Sequence, residues 1–294
     1  PELEPLHDPF LMKDMDRAVI RIEQAVERGE RILVYGDYDV DGTSAVALMI
    51  AYLREFYPNV ASYIPDRYTE GYGVSIQGID FAADNDITLI IALDCGVKAT
   101  SQIAYASQLG VDFIICDHHR PGPQLPGAVA VLDPKREDCP YPYKDLCGCG
   151  VGFKLIQALH MRKGLAVSSL LPYLDLVAVA IAADIVPMTG ENRVLSHPFS
   201  SSINKEPRPG LWALMESVDR DSYKISDLVF QLAPRLNAAG RMEHGQQAVR
   251  LLTEQDLSLA REQAKAIESL NEQRRGMDRQ ITEEALELIR ERGE

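Results

Sequence analysis

The triplet Asp117-His118-His119 carries more potential chemistry than any other segment of the sequence. It follows the apolar run 113–116, which is typical of a buried strand. One carboxylate and two imidazoles at the end of such a strand are costly to bury unless a metal ion or a phosphate binds them. The two imidazoles point in different directions, so one can ligate a metal while the other faces a substrate, and Asp117 can simply orient an imidazole.

Two other apolar runs also end in aspartates. Asp37, Asp39 and Asp41 follow the first run, and Asp94 follows the second. One aspartate would suffice to cap the next helix, whereas three within five positions would repel one another strongly without a cation. Asp184 ends a predicted apolar helix, where the helix dipole disfavours a carboxylate and a cation would compensate.

These side chains together predict a site for two divalent ions. Oxygen-rich sites with one or two imidazoles suit Mn²⁺ or Mg²⁺ better than zinc. The potential ligands exceed what one ion needs, so we expect two ions about 4 Å apart with Asp94 between them. Such a pair generates hydroxide near neutral pH and promotes in-line displacement at phosphorus. Arg67 and Arg241, in glycine-containing loops, are either phosphate ligands or ordinary surface arginines.

Two rival interpretations use the same segments. The sequence 39–43 matches the D-x-D-G-T loop of haloacid-dehalogenase-type phosphatases, in which the first Asp forms an aspartyl-phosphate. That loop normally follows its strand directly, whereas three residues intervene here, and the Asp-His-His triplet stays unexplained. Cys139, Cys147 and Cys149 could bind zinc, but no C-x-x-C pair exists, and buried residues in a glycine-rich turn explain them as well.

The elements that would position these residues alternate between strand and helix up to Gly150. This alternation predicts an α/β fold with a mostly parallel sheet flanked by helices, in which ligands bind beyond the carboxyl ends of the strands. The later sequence is helical, except that the polar stretch 196–209 predicts a flexible connection. We expect an α/β catalytic domain at 1–195, a linker and helical extension at 196–255, and a connecting helix about 50 Å long at 256–294.

Charge and composition limit the function classes. The net charge of −14 opposes a nucleic-acid groove, unless carboxylates of a metal site account for part of it. The longest apolar run, 176–183, is too short to cross a bilayer, and five cysteines do not form a disulfide framework. We therefore expect a soluble cytoplasmic protein without a membrane partner. Its start at Pro1 and its end within a helical pattern suggest that it is truncated at both ends.

At this level the chain resembles the DHH superfamily of phosphoesterases. The motifs that carry the resemblance are Asp37-Tyr-Asp-Val-Asp-Gly42, Asp94-Cys-Gly96, Asp117-His-His119 and Ala183-Asp184. Finer marks are similar to the RecJ group of single-stranded-DNA exonucleases: Tyr35-Gly36 before the first motif, Glu70-Gly-Tyr-Gly73, Asp184-Ile-Val-Pro-Met188, Glu191-Asn-Arg193 and Pro234-Arg-Leu-Asn-Ala-Ala-Gly-Arg241.

The resemblance implies a 5′-to-3′ exonuclease of DNA recombination and repair that hydrolyses single-stranded DNA with Mn²⁺ or Mg²⁺. It implies that Asp94 and His119 are catalytic and that Arg67, Arg241 and Asn237 meet the substrate phosphate. The implied metal ligands are Asp37, Asp39, Asp41, Asp94, His118 and Asp184, with Asp37 substituting for a histidine that relatives place at Tyr35.

The resemblance also implies further parts and partners. The long helix should lead to a second domain, DHHA1, which this sequence does not contain, and the OB module is absent too. A helicase or a single-strand-binding protein is a possible partner. The alternatives are an oligoribonuclease or cyclic-dinucleotide phosphodiesterase of the same superfamily and a non-catalytic replication scaffold. The retained ligands disfavour the scaffold.

Overall fold

A five-stranded, fully parallel sheet forms the centre of the fold in the computed structural model, which describes residues 6–205, 207–218 and 222–292. The strand order is β2-β1-β3-β4-β5, so the predicted α/β fold with a parallel sheet is confirmed. Most strand residues are buried because helices cover both faces, which explains the continuous apolar runs. The strands are β1 Arg31–Gly36, β2 Val60–Tyr63, β3 Ile87–Leu93, β4 Asp112–Cys116 and β5 Ala130–Leu132.

Alternate residues of the strands feed two separate cores. One core holds Ile32, Val34 and Ile91, which pack with the first two helices and with two later ones. The other holds Leu33 and Ile90 beneath the third and fourth helices. The helices of this α/β part are α1 Met15–Glu27, α2 Val40–Arg54, α3 Ile76–Asp84, α4 Thr100–Gln108, α5 Gly148–Arg162, α6 Leu174–Asp184 and α7 Gly190–Ser202.

The remaining described chain is helical. The short helix α9 runs through a π-helical turn at 228–232 directly into α10. The first half of α12 buries Ala260 and Ile267, whereas Met277 and Ile281 in its second half are exposed. The helices are α8 Pro209–Glu216, α9 Ile225–Asp227, α10 Ala233–Met242, α11 Gln246–Thr253 and α12 Leu257–Arg292, and α12 is the long helix that the sequence predicts.

The predicted flexible connection at 196–209 is wrong for its first half. Helix α7 continues to Ser202, and Leu195, Phe199 and Ile203 form a buried face at helical spacing. The serines and prolines between these positions concealed that face, because the apolar spacing decides the element. The expected boundary between residues 195 and 196 falls inside α7, and the division into three parts stays a prediction.

One segment, Val167–Asp184, is long and apolar enough to cross a membrane by length and composition. Half of this segment is buried inside the protein. Its helical part α6 packs against α2, α5 and α7, so its apolar composition is accounted for by the core.

Candidate metal centre

A row of buried aspartates lines the carboxyl edge of the sheet. The last residues of β1, β3, β4 and β5 are in register across the sheet. An aspartate follows each of these strands directly, namely Asp37, Asp94, Asp117 and Asp133, and all four are buried. Since neighbouring strands lie about 4.8 Å apart, the row concentrates negative charge at one place.

The start of α2 adds two carboxylates to this row. Asp39 is the N-cap of α2 and accepts a hydrogen bond of 2.9 Å from the Gly42 amide. Asp41, two residues further, accepts hydrogen bonds from the amides of Gly148 and Cys149 at 2.7 Å each. These amides open α5, so Asp41 joins the N-termini of two helices at the edge of the sheet.

His118 lies at the centre of these acids. Its Nε2 is 3.1 Å from Asp94 Oδ1 and 3.7 Å from Asp41 Oδ2, and its Nδ1 is 3.7 Å from Asp184 Oδ2. Asp94 sits in the left-handed region with φ of 59°, and its amide donates to the Cys116 carbonyl at 2.8 Å. The turn after β3 therefore aims the Asp94 carboxylate at His118.

The structure brings all six predicted metal ligands together. Potential ligand atoms lie within 4.8 Å of one another in three sets: Asp37, Asp39 and Asp94; Asp41, His118 and Asp184; and Asp94, His118 and His119. Asp94 and His118 each belong to two sets. The six side chains therefore lie close enough together to hold divalent ions, with Asp94 and His118 each near more than one set of donors.

Burial and mutual repulsion make the acids hard to ionise without a cation. Burial and the charge of Asp39 raise the pKa of Asp37 to about 7. Burial, Asp39 and Asp184 raise the pKa of Asp41 to about 8, against the lowering effect of the two α5 amides. Burial and the charges of Asp41 and Asp39 raise the pKa of Asp94 well above its usual range. A divalent cation would reverse these shifts.

Buried polar atoms that lack a hydrogen-bond partner show whether the site can accept metal ions. Among the described residues, no hydrogen-bond partner of good geometry meets the buried atoms Asp37 Oδ1, Asp94 Oδ1 and His118 Nδ1, although Asp94 Oδ1 lies 3.1 Å from His118 Nε2. Burial and the charge of His119 lower the pKa of His118 to about 4, so its imidazole is neutral, as a metal ligand must be. Free carboxylate oxygens beside a neutral imidazole are the donors that Mn²⁺ or Mg²⁺ takes, and the residues fit the ions.

Asp117 orients His119. It accepts hydrogen bonds from His119 Nδ1 at 2.7 Å and from the Val97 amide at 3.0 Å. Burial raises the pKa of Asp117, but the hydrogen bond and charge of His119, together with the backbone amides of Val97 and His119, bring that pKa below its usual value. The side-chain hydrogen bond to Asp117 also raises the pKa of His119. The half-exposed imidazole therefore keeps its proton more readily than His118, and its Nε2 lies 3.2 Å from the Tyr72 hydroxyl.

The predicted phosphate-binding residues lie around Tyr38, next to Asp37 and Asp39. The Arg67 guanidinium carbon is 5.4 Å from the centroid of the Tyr38 ring. The charges of Arg67 and Arg241 both act on Tyr38, where they partly offset the rise in its pKa caused by burial and Asp37. Asn237 precedes Arg241 by one turn on the same face of α10.

The comparisons with known proteins agree with this geometry. The DHH family, N-terminal domain, matches residues 31–181, which is more than half of the chain. The chain belongs to the DHH family. The single-stranded-DNA-specific exonuclease RecJ of Bacillus subtilis is 40% identical over 291 residues, covering 98% of this chain. This chain spans only 36% of that relative's length.

Solved structures of RecJ also superpose on this DHH chain. An exonuclease RecJ bound to manganese matches with a TM-score of 0.86 and 32% identity, covering 94% of this chain and 70% of that one. RecJ from Thermus thermophilus in complex with Mn²⁺ matches with a TM-score of 0.82 and 30% identity, covering 93% and 40%. Its complex with Mg²⁺ matches with a TM-score of 0.68 and 28% identity, covering 93% and 36%.

Two parts of this DHH centre escaped the sequence analysis. Asp133 is fully buried, and its Oδ2 has no hydrogen-bond partner among the described residues. The signal was a further apolar run, 128–132, which predicts a strand and ends in an aspartate. A single aspartate directly before Pro134 looks like an ordinary loop residue, so it was passed over. The second is Gly148, where a Cβ atom would lie 2.5 Å from the Asp94 side chain. No pattern in the sequence predicts this close approach of Gly148 to Asp94.

Tyr35 is absent from the three sets of potential ligand atoms in the described residues, and the expected replacement of a histidine at this position by Asp37 stays a prediction. Tyr35 is buried away from the acids, and its hydroxyl donates to the Gly73 carbonyl at 2.7 Å. It thereby anchors the loop that carries Tyr72. Glu70 fixes the same loop, since it accepts the hydroxyls of Tyr63 and Ser75 at 2.7 Å each.

Proposed function

We propose that this chain holds the catalytic centre of an exonuclease that hydrolyses phosphodiester bonds of single-stranded DNA in the 5′-to-3′ direction. The observation that carries the proposal is the convergence of six potential ligands, in which buried oxygens of Asp37 and Asp94 have no hydrogen-bond partner within the described part of the chain. The RecJ relatives, named for activity on single-stranded DNA, support the substrate and the exonuclease reaction.

The proposed roles follow from position and charge. Asp37, Asp39, Asp41, His118 and Asp184 would hold two Mn²⁺ or Mg²⁺ ions, with Asp94 between them. When bound, such a pair lowers the pKa of water and offsets charge on a scissile phosphate.

The remaining residues would act on the phosphate. His119, held by Asp117 and partly exposed, can donate a hydrogen bond to the scissile phosphate. Arg67, Arg241 and Asn237, at the rim around Tyr38, would receive the terminal phosphate of the strand.

Cellular context is proposed on the resemblance and on one structural observation. The described residues include five free, buried cysteines, as is usual in a reducing compartment, which supports a cytoplasmic location. Recombination and repair produce the single strands that such an enzyme consumes. A helicase that unwinds DNA, or a single-strand-binding protein that coats it, is the proposed partner.

Digestion of end-labelled 5′-phosphorylated DNA with and without Mn²⁺ tests the proposal. We expect Mn²⁺-dependent release of mononucleotides, with 5′ label lost first and 3′ label retained on shortening fragments. Matched RNA oligomers and a cyclic dinucleotide serve as competing substrates. Preferential cleavage of either would favour the sibling phosphodiesterases, and no cleavage of any substrate despite bound Mn²⁺ would contradict an enzymatic role.

A further inference from the structure

The residue that follows Asp184 adopts a conformation that its side chain disfavours. Ile185 lies in the left-handed region with φ of 54° and ψ of 36°. A β-branched residue there is a true outlier, because its Cβ crowds the backbone, whereas glycine or asparagine would fit without strain. The Ile185 side chain is also 80% exposed, so the protein core gains little from it.

The loop after Ile185 is held rigidly. The buried Asn192 amide donates to the Pro187 carbonyl at 3.0 Å and to the Asp145 carbonyl at 2.7 Å. The Tyr143 hydroxyl donates to the Thr189 carbonyl at 2.8 Å. These contacts hold the loop backbone that follows the strained residue, as expected where surrounding structure maintains an unfavourable conformation.

The position of Ile185 defines what can cover it. Its Cα is one peptide step, about 3.8 Å, from that of Asp184, whose carboxylate is 3.7 Å from His118 Nδ1. A phosphodiester held at this centre brings its sugars and bases to the surrounding surface. Arg67 and Arg241 lie around Tyr38 and serve phosphate, so an exposed aliphatic side chain beside Asp184 suits the apolar face of a base.

We infer that Ile185 is a substrate-binding residue that packs against a nucleobase next to the scissile phosphate of single-stranded DNA. The inference rests on the proposed function for its substrate class. In this interpretation the Ile185 side chain is buried by the bound base and not by the folded protein, which accounts for its strained backbone and its exposure in the free protein. The contact is indifferent to base identity, since every base offers an apolar face.

Binding measurements separate the base contact from catalysis. The probes are a 5′-phosphorylated dT oligomer and the same oligomer with abasic sugars at its first two positions, followed by fluorescence anisotropy in Ca²⁺. We expect the unaltered protein to bind the dT oligomer roughly fivefold to tenfold more tightly than the abasic one. Ile185→Asn should lose this preference, whereas Ile185→Leu, which stays apolar, should keep it.

Two controls make the test specific. Ile20→Asn removes another exposed isoleucine, from α1, and should leave the preference unchanged. Mn²⁺ affinity, measured by calorimetry, should be equal in Ile185→Asn and the unaltered protein. A parallel loss of Mn²⁺ and DNA affinity would overturn the inference, because Ile185 would then only position Asp184.

Other outcomes are equally decisive. An unaltered protein that does not bind the dT oligomer, or that binds both oligomers equally, overturns the inference. If the dT preference and its loss in Ile185→Asn are seen but no DNA is cleaved in Mn²⁺, the proposed function fails and the base contact stands. If DNA is cleaved in Mn²⁺ but the protein shows no preference for the dT oligomer, the proposed function stands and the base contact fails.

Discussion

At the scale of single residues, the acids of the centre oppose folding when no cation is bound. Asp94 is buried among Asp37, Asp39 and Asp41, and its pKa is raised by burial and by their charges. Such an arrangement is typical of functional sites, where stability is given up for binding. The ligands should therefore be replaceable with a gain in stability and a loss of metal binding.

Asp94→Asn tests whether a metal ligand can be replaced with a gain in stability and a loss of metal binding. Asparagine tolerates the left-handed backbone of residue 94 and removes only the charge. We expect the metal-free variant to be more stable to urea by at least about 1 kcal/mol, since one pKa unit corresponds to about 1.4 kcal/mol. Its Tm should no longer rise with Mn²⁺, and cleavage should be lost. A variant that is less stable and still binds Mn²⁺ would contradict the shared-ligand role.

The pH dependence of stability follows from the same carboxylates. The pKa values of Asp37, Asp41 and Asp184 are about 7, 8 and 6, whereas an unfolded aspartate titrates near about 3.9. The folded state therefore binds more protons over this range, and these groups make the metal-free protein less stable as pH rises from about 4 to about 8.

Mn²⁺ should replace those protons. At fixed Mn²⁺, the rise in Tm should be small at pH 5.5 and grow through pH 8.5, as measured by scanning calorimetry. The metal-free protein scanned at each pH is the control. A Mn²⁺ effect independent of pH would mean that the ion binds elsewhere.

The sequence predicted the ligands better than their surroundings. Acids and imidazoles at strand ends are visible as local patterns, and parallel topology brings them to one edge. The sequence suggests that Asp117 can orient an imidazole, and the hydrogen bond between its carboxylate and His119 Nδ1 agrees with that role. Asp133 was missed although the apolar run 128–132 predicts the strand before it, because one aspartate at the start of a proline-containing loop has no distinctive pattern.

At the scale of elements, the centre depends on how closely α5 approaches β3. A Cβ atom on Gly148 would meet the Asp94 side chain at 2.5 Å, so the helix must begin with a residue that has none. Gly150, in the same turn, has its nearest neighbour at 3.4 Å, which is ordinary contact. The two glycines form a matched pair.

Gly148→Ala should displace either Asp94 or the start of α5. We expect a loss of Mn²⁺ affinity of at least tenfold, as for other changes that disturb the orientation of a ligand. Gly150→Ala should leave Mn²⁺ affinity unchanged and add about 0.5–1 kcal/mol of stability, because alanine is the better helix former. Calorimetric titration of both variants provides the measurement, and equal affinities would show that α5 adapts.

The start of α7 is fixed by a buried ion pair. Lys154 on α5 and Glu191 on α7 are fully buried, with Nζ and Oε1 3.0 Å apart. Lys154→Met should cost about 3–5 kcal/mol in urea unfolding, because it leaves a buried charge unpaired. Adding Glu191→Leu should recover part of this loss. The half-exposed pair of Arg261 and Glu216 is the control, where Arg261→Met should cost no more than about 1 kcal/mol.

Helix α7 also shows where sequence interpretation failed. A run of serines and prolines suggested a loop, yet Leu195, Phe199 and Ile203 bury one face of a continuous helix. Tertiary packing overrode local preference, as it commonly does for weak helix formers. By contrast, α12 was predicted over nearly its whole length, because its apolar spacing is regular over 36 residues.

At the scale of the whole molecule, the net charge of −14 must be reconciled with the proposed DNA substrate. The carboxyl edge of the sheet concentrates acids, so its potential repels DNA until divalent ions occupy it. Among the described residues, the positive side chains whose charges act on this edge include Arg67 and Arg241 near Tyr38 and the exposed Lys135, whose charge acts on Asp184. Binding should therefore depend on the ions and only weakly on long-range attraction.

The salt dependence of DNA binding tests this balance. In Ca²⁺, a plot of log K against log[KCl] should have a slope near −2, because three cations each release about 0.7 counterion from single-stranded DNA. EDTA should abolish binding. Arg67→Gln should make the slope shallower by about 0.7, whereas Arg28→Gln, at the opposite edge of the sheet beyond α1, should not change it. A steep slope that persists in EDTA would place the DNA on another surface, because only a basic patch remote from the acids attracts DNA without divalent ions.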